Sequence, residues 1–291
     1  MADPRKRLPN NAAGEFFVDS TCINCDTCRQ LAPATFGEAD DASFVRSQPQ
    51  EIIERQKAFR ALVACPVGAI GSKDSAAARA AVHDFPLRIA DAVFYCGFNS
   101  ADSYGANSYF VQHPQGNWLI DSPRYSEHLA REFEKLGGVA HIFLTHRDDV
   151  ADADKWARRF ASQRIIHELE RSAQPDAEWI IDGTVPITLA PGFTAIPTPG
   201  HTRGHCVLLH NRFLFTGDHL CWNREQTRLN AWRSKCWYSW PEQIASMAAL
   251  SAWDFEWILP GHGQRIQLPL AEMRQQMNLL VRGMKDQNWR D

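Results

Sequence analysis

Short apolar runs separated by polar or turn-forming stretches alternate along this chain with segments whose apolar residues recur at helical spacing. EFFVDS (15–20) predicts a short strand leading into a group of cysteines, and EIIERQKAFRALVA (51–64) predicts a helix. SKDSAAARAAVHD (72–84) is rich in small and charged residues and reads as a linker with helical character. Beyond it come the strand-type runs AVFYC, SYFVQ, NWLID, HIFLT, RIIH, WIID and CVLLHNRFLFTGD. Four amphipathic helices punctuate them, at SEHLAREFEKL, DADKWARRFA, PEQIASMAAL and LAEMRQQMNLLVRGM. Strands and helices mixed in this way predict a layered α/β or α+β domain, with polar motifs in the loops that follow its strands.

Composition narrows the function classes. At 291 residues, 44% hydrophobic and 22% charged, the chain can bury ordinary cores, as one large domain or as one medium domain plus a small one. A net charge of -3 without a long basic run argues against nucleic acid or a membrane surface as the main partner. No stretch approaches the roughly 20 apolar residues of a membrane span. MADPRKRLPNN is positively charged but has no apolar region after it, so it does not read as a secretory signal, and a cytoplasmic protein is expected.

Four of the eight cysteines form a ligand pattern: Cys22-x2-Cys25-x2-Cys28, then a distant Cys65 followed by Pro66. Three thiolates spaced by two let one tight loop wrap a face of an iron–sulfur cluster, and the Cys-Pro turn supplies the fourth ligand. Tetrahedral zinc is the alternative, but zinc ribbons pair two C-x2-C knuckles, and here three cysteines come from one loop. The pattern resembles a single-cluster bacterial-type ferredoxin over residues 14–72. With a cysteine at the second position (Cys25), that resemblance implies one [4Fe-4S] cluster. Cys96, Cys206, Cys221 and Cys236 are scattered through apolar or aromatic sequence and read as structural.

Four later segments pair a strand with a metal-type loop: LTHRDD (144–149), TPGHTRGH (198–205), FTGDH (215–219) and LPGHG (259–263). Any one alone is weak; four in this order resemble the metallo-β-lactamase superfamily, an αββα sandwich with metals at one sheet edge. NSYFV…NWLIDSP (107–123) resembles that fold's opening hairpin, which extends the likeness over residues 88–291. His146 matches the first histidine of the family's His-x-His-x-Asp-His motif, His201 the Gly-His-Thr histidine, Asp218 the carboxylate that often bridges two metals, and His262 the last histidine. Asp148 stands where the second histidine belongs, Val150 replaces the aspartate and Ala151 the final histidine. A two-residue slip places Asp152 at the aspartate and still lacks the histidine. Asp149 becomes a ligand only if the altered loop bends differently.

The resemblance therefore implies an α+β protein in three parts: a ferredoxin-like [4Fe-4S] domain over 1–75, a linker over 76–87 and a metallo-β-lactamase-like domain over 88–291. His146, His201 and Asp218 make a two-histidine, one-carboxylate set that suits a mononuclear Fe(II) centre with open positions. Persulfide dioxygenases of this superfamily bind one iron at these motif positions, and flavodiiron members carry a carboxylate at that of Asp148. Hydrolytic relatives such as glyoxalase II keep both metal sites. The expected centre is one iron or zinc ion held by His146, His201 and Asp218, with Asp148 and His262 as further ligands or orienting groups; His146, Asp148, His201 and Asp218 are the candidate catalytic residues.

His205 is expected to hydrogen-bond within its loop and His219 to lie behind the ligands, while His128, His167 and His210 read as structural. AWRSKCWYSW (231–240) is either packing, a lid over the metal or a contact between the modules. Because a ferredoxin module moves electrons and has no part in hydrolysis, the fusion points to an oxidoreductase that acts on a small molecule and exchanges electrons with a redox partner protein. A zinc-dependent hydrolase of thioesters, lactones or esters, with a structural or sensing cluster, is the alternative. A non-catalytic electron carrier is the third reading.

Overall fold

The computed structural model describes residues 2–286 and residue 289. The chain divides into two compact units, one made of residues up to Ala140 plus Ala151–Ser162, the other of His141–Val150 plus the chain from Gln163 onward. No helix among the described residues is long and apolar enough to cross a membrane.

In the first unit the strand Phe17–Val18 pairs antiparallel with Ile70–Gly71, which brings the start and the end of the cysteine-bearing region together. Between them lie the short helix Thr27–Leu31, the hairpin of Phe36–Ala39 with Ala42–Val45, and the helix Ile52–Ala64. That helix buries Ala58, Phe59, Ala61, Val63 and Ala64, the side its apolar spacing forecasts, and leaves Ile52 and Ile53 exposed. The small-residue stretch after it is helical at Ser75–Ala81, where the Asp74 carboxylate accepts from the Ala77 amide and caps the first turn.

Four short strands follow as an antiparallel meander: Leu87–Ala90, Val93–Tyr95, Tyr109–Val111 and Trp118–Ile120. Every residue of the last two is buried, so they read as apolar runs without alternation. The helices Glu127–Lys135 and Ala153–Phe160 belong to the same unit. Phe133 of the former stacks on Phe110 with ring centroids 4.6 Å apart and meets Trp156 of the latter at 5.4 Å. The Trp156 indole N–H is satisfied by the Pro123 carbonyl at 2.9 Å, which lets a tryptophan be fully buried without a polar penalty.

The second unit holds three parallel strands, His141–Phe143, Gln163–His167 and Trp179–Ile181, ordered with Gln163–His167 central. It also holds a six-stranded sheet in the order Ile187–Ala190, Phe193–Pro197, Cys206–His210, Phe213–Gly217, Trp257–Pro260, Ile266–Gln267. The pair Phe213–Gly217 and Trp257–Pro260 is parallel, and the helix Trp240–Leu250 lies in the crossover between them. Val207, Leu214 and Ile258 from the sheet pack with Met247, Leu250, Met273, Met277 and Leu280 from this helix and from Leu270–Met284. The sequence pattern does not mark the strands at Ile187, Cys221, Arg228 and Ile266, each of four residues or fewer.

Phe133→Ala leaves a large void between Phe110 and Trp156. It is expected to cost about 3–5 kcal/mol in a denaturant unfolding curve, and a loss below about 1 kcal/mol would contradict this packing.

Candidate metal centre

The cysteine site is built in the first unit. None of the eight cysteines is joined in a disulfide. Cys22 and Cys25 come from the loop entering the helix Thr27–Leu31, Cys28 lies in that helix, and Cys65 caps the end of the helix Ile52–Ala64. The chain supplies backbone N–H groups to the sulfurs: Ser43 and Asn24 to Cys22 at 3.4 and 3.5 Å, and Ala69 to Cys65 at 3.3 Å. Donors aimed at sulfur suit thiolates, which is the form a cluster requires. Burial pushes the metal-free Cys25 thiol up to about 11, partly offset by Thr27, and also raises Cys28 and Cys65. Cluster binding is what makes thiolates tolerable there. Cys96, Cys206 and Cys221 are buried, while half-buried Cys236 points its thiol at the Gly200 carbonyl, 3.1 Å away.

In the second unit the strand His141–Phe143 ends in Leu144, Thr145 and His146, and a single tight turn over Arg147–Asp149 follows. That turn aims three consecutive side chains differently. Arg147 reaches Glu170, Asp148 stands at the mouth with 47% of its side chain exposed, and Asp149 is buried. His201 comes from the loop after Phe193–Pro197, Asp218 follows the strand Phe213–Gly217, and His262 follows Trp257–Pro260.

These groups converge. The Nε2 atoms of His146 and His201 each lie 3.7 Å from Asp148 Oδ2 and 3.7 Å from Asp218 Oδ2, and His262 Nε2 is 3.9 Å from Asp218 Oδ2. Such separations are too long for hydrogen bonds. They are close to the roughly 3.3–3.6 Å between donors that ligand distances of about 2.0–2.2 Å imply around one tetrahedral ion. His146 Nε2, His201 Nε2 and Asp218 Oδ1 are buried without a hydrogen-bond partner, which an ion would supply. One atom from each of His146, His201 and Asp218 falls within 4.8 Å of the other two, so the three can hold a metal.

Asp149, Asp218 and His262 make a second group with the same spacing. The loop therefore does bend so that the residue before Val150 presents a carboxylate. Asp152 does not take that part: it accepts from the Tyr125 amide at 2.7 Å and pairs with Lys155 at 2.8 Å.

Electrostatics and packing fit this geometry. Burial holds His146 down at about 4 despite Asp218, so its imidazole is neutral and able to ligate. Its Nδ1 lies 3.0 Å from the Thr145 hydroxyl, and a ligating Nε2 requires Nδ1–H to donate to that oxygen. For Asp218 burial favours the neutral acid, but His262, His146 and His201 outweigh it and keep the carboxyl below its usual range. The His201 imidazole beside it is the chief cause that holds the Asp148 carboxyl below its usual range. Two glycines permit the approach. A β-carbon at Gly217, where φ is +48°, would stand 2.6 Å from Thr145 Oγ1 and 2.7 Å from His205 Nε2, and one at Gly261 would stand 2.6 Å from Asp149 Oδ2 and 2.8 Å from Asp218 Oδ1.

His205 bonds Thr198 Oγ1 through Nδ1 at 2.9 Å, and its ring lies 4.6 Å from that of His219; burial drives both well below the usual imidazole range. His167 and His210 bond backbone carbonyls, and His128 packs edge-on against His83. The aromatic run divides. Trp240 begins a helix and packs on the core, whereas Trp237 and Tyr238 are exposed, both donating backbone N–H bonds to the His201 carbonyl.

Glu170 went unnoticed in the sequence. Fully buried, it accepts from Arg147 Nε at 2.6 Å, the Arg147 amide at 3.2 Å and the Gly204 amide at 2.6 Å. It thereby ties the loop of His146 and Asp148 to the loop of His201. Burial would raise its carboxyl, but Arg147 and Gly204 more than offset this. No local signal marks it, since its three donors are 23 or 34 residues away.

Comparison with known proteins matches this picture. Residues 86–266 match the family model described as "Metallo-beta-lactamase superfamily", and residues 18–72 match "4Fe-4S single cluster domain of Ferredoxin I". The first match spans well over half of the chain, and the protein belongs to the metallo-β-lactamase superfamily. Among solved structures, the chain is similar to TMB-1 at 17% identity and a TM-score of 0.53, covering 68% of this chain and 97% of that one. It is also similar to DIM-1 metallo-beta-lactamase at 15% identity and 0.50, covering 66% and 95%, and to VMB-1 at 18% and 0.50, covering 66% and 94%. At these identities the likeness is one of fold.

Glu170→Ala removes the tie without touching a ligand. Metal affinity at the centre is expected to fall about 10–100-fold, measured by competition with a chelator, while the cluster's visible absorbance is retained. Unchanged affinity would contradict the role of Glu170.

Proposed function

We propose that this protein is an iron–sulfur metalloenzyme, an oxidoreductase in which the ferredoxin cluster exchanges electrons with a metal, iron in preference to zinc, held by His146, His201 and Asp218. The observation that carries this reading is the donor set. Three carboxylates, Asp148, Asp149 and Asp218, gather with three imidazoles in a chain that also bears a cluster-binding module. Two histidines and one carboxylate that leave open positions suit redox-active iron, and the further carboxylates beside them add the hard oxygen donors that iron accepts. A bound iron would supply Lewis acidity and a one-electron change of oxidation state, and the cluster would supply or take single electrons.

The residues have distinct tasks. His146 is fixed by Thr145 and presents a neutral Nε2. His201 is held by the loop that Glu170 anchors, and Asp218 stands between the two ligand groups. Asp148, half-exposed and held as a carboxylate by the neighbouring imidazoles, faces the point where a small substrate enters. Trp237 and Tyr238 stand beside His201 at the surface, and a redox partner protein would meet the cluster-bearing module.

A zinc-dependent hydrolase of thioesters, lactones or esters is a second reading, favoured by one observation: Asp149, Asp218 and His262 leave room for a second ion, as water activation between two metals requires. A stepwise reductive titration of anaerobically reconstituted protein, followed by electron paramagnetic resonance, separates the two. Two redox-active signals are expected, and His201→Ala is expected to keep the cluster signal and lose the other. A cluster signal alone in the native protein, with hydrolysis of a thioester or lactone panel indifferent to the cluster's oxidation state, would overturn the oxidoreductase reading.

A further inference from the structure

The Cys25 side of the cysteine loop is covered by a segment of the same compact unit that lies far along the chain. A β-carbon at Gly105, where φ is +87°, would fall 2.7 Å from Cys25 Cβ, 2.9 Å from Cys25 Sγ and 3.1 Å from Pro66 Cγ, so glycine is what lets this loop come so near. Between them lies Thr27, buried to 2% exposure, with its hydroxyl 3.4 Å from Cys25 Sγ and 3.2 Å from the Gly105 carbonyl oxygen. Asn99 Nδ2 donates to that carbonyl at 2.7 Å and reaches Thr27 Oγ1 at 3.2 Å. The amide is held in this orientation because the Tyr95 hydroxyl donates to Asn99 Oδ1 at 2.7 Å. Asn107 completes the network: its Oδ1 lies 3.3 Å from Asn99 Nδ2, and its Nδ2 donates to Gln30 Oε1 at 3.2 Å.

A threonine hydroxyl has one proton to give. While Cys25 is a thiol, its S–H can donate to Thr27, and the Thr27 proton goes to the Gly105 carbonyl. When a cluster binds, Cys25 loses its thiol proton to solvent and its sulfur can only accept. The Gly105 carbonyl already holds the shorter bond from Asn99, so the Thr27 proton can turn to sulfur without leaving a buried carbonyl unsatisfied. We infer that Thr27 is a positioning residue for the cluster: its hydroxyl donates to the Cys25 thiolate in the loaded protein, and Asn99 frees it to do so. Such a bond draws charge from the sulfur and favours the more negative, reduced cluster, which raises its midpoint potential.

The test is the midpoint potential of the reconstituted full-length protein in three variants. Thr27→Val keeps the volume and removes the donor, and its potential is expected to be more negative than that of the native protein. Thr27→Ser retains the donor and should stay near the native value. Asn99→Ala leaves the Gly105 carbonyl to recapture the Thr27 proton, so its potential should also become more negative, although no atom touching sulfur is altered. A native potential in Thr27→Val with four irons retained, or equal shifts in the valine and serine variants, overturns the inference. If the valine variant cannot hold the cluster, a native potential in Asn99→Ala does the same.

Discussion

A carboxylate taken out of water costs several kcal/mol unless cations or hydrogen-bond donors meet it. Asp218 is in that position at the end of the strand Phe213–Gly217, with only 14% of its side chain exposed. Three imidazoles, those of His146, His201 and His262, stand 3.7–3.9 Å from its Oδ2. None is close enough to hydrogen-bond it; an ion held by His146, His201 and Asp218 would give the carboxylate the cation it lacks, with His262 on the side of Asp149. Much of the second unit follows from this requirement. The parallel pairing of Phe213–Gly217 with Trp257–Pro260 brings the loops of Asp218 and His262 side by side. The bond from the Cys206 amide to the Thr145 carbonyl holds the strand before His146 against the loop that carries His201.

The ferredoxin-like module was legible because its chemistry is local. Three cysteines within seven residues and a Cys-Pro turn define the ligands without any knowledge of tertiary structure. The helix at Ile52–Ala64 and the four later helices were legible for the same reason, since periodicity is a property of a short window. His146, His201, Asp218 and His262 could be named by their loops, each following an apolar strand.

The rest depended on long-range placement. Whether Asp149 or Asp152 faces the ligands turns on one tight turn at Arg147–Asp149, and alignment of the broken motif could not fix its direction. Glu170 is an ordinary acid in an ELE run until Arg147 and Gly204 close on it. Thr27 and Gly105 are 78 residues apart, and neither belongs to a metal motif. In each instance the missing information is the direction a turn takes or which distant group arrives, and only the packed fold supplies it.

The central claim is that this superfamily fold carries a two-histidine, one-carboxylate centre for a redox metal in a chain that also binds a cluster. Anomalous diffraction from crystals of the natively loaded protein, collected on both sides of the iron and zinc absorption edges, addresses it most directly. Iron density between His146, His201 and Asp218, beside the cluster density at the four cysteines, is the outcome expected. Zinc at full occupancy in that position, with iron confined to the cysteines, would contradict it.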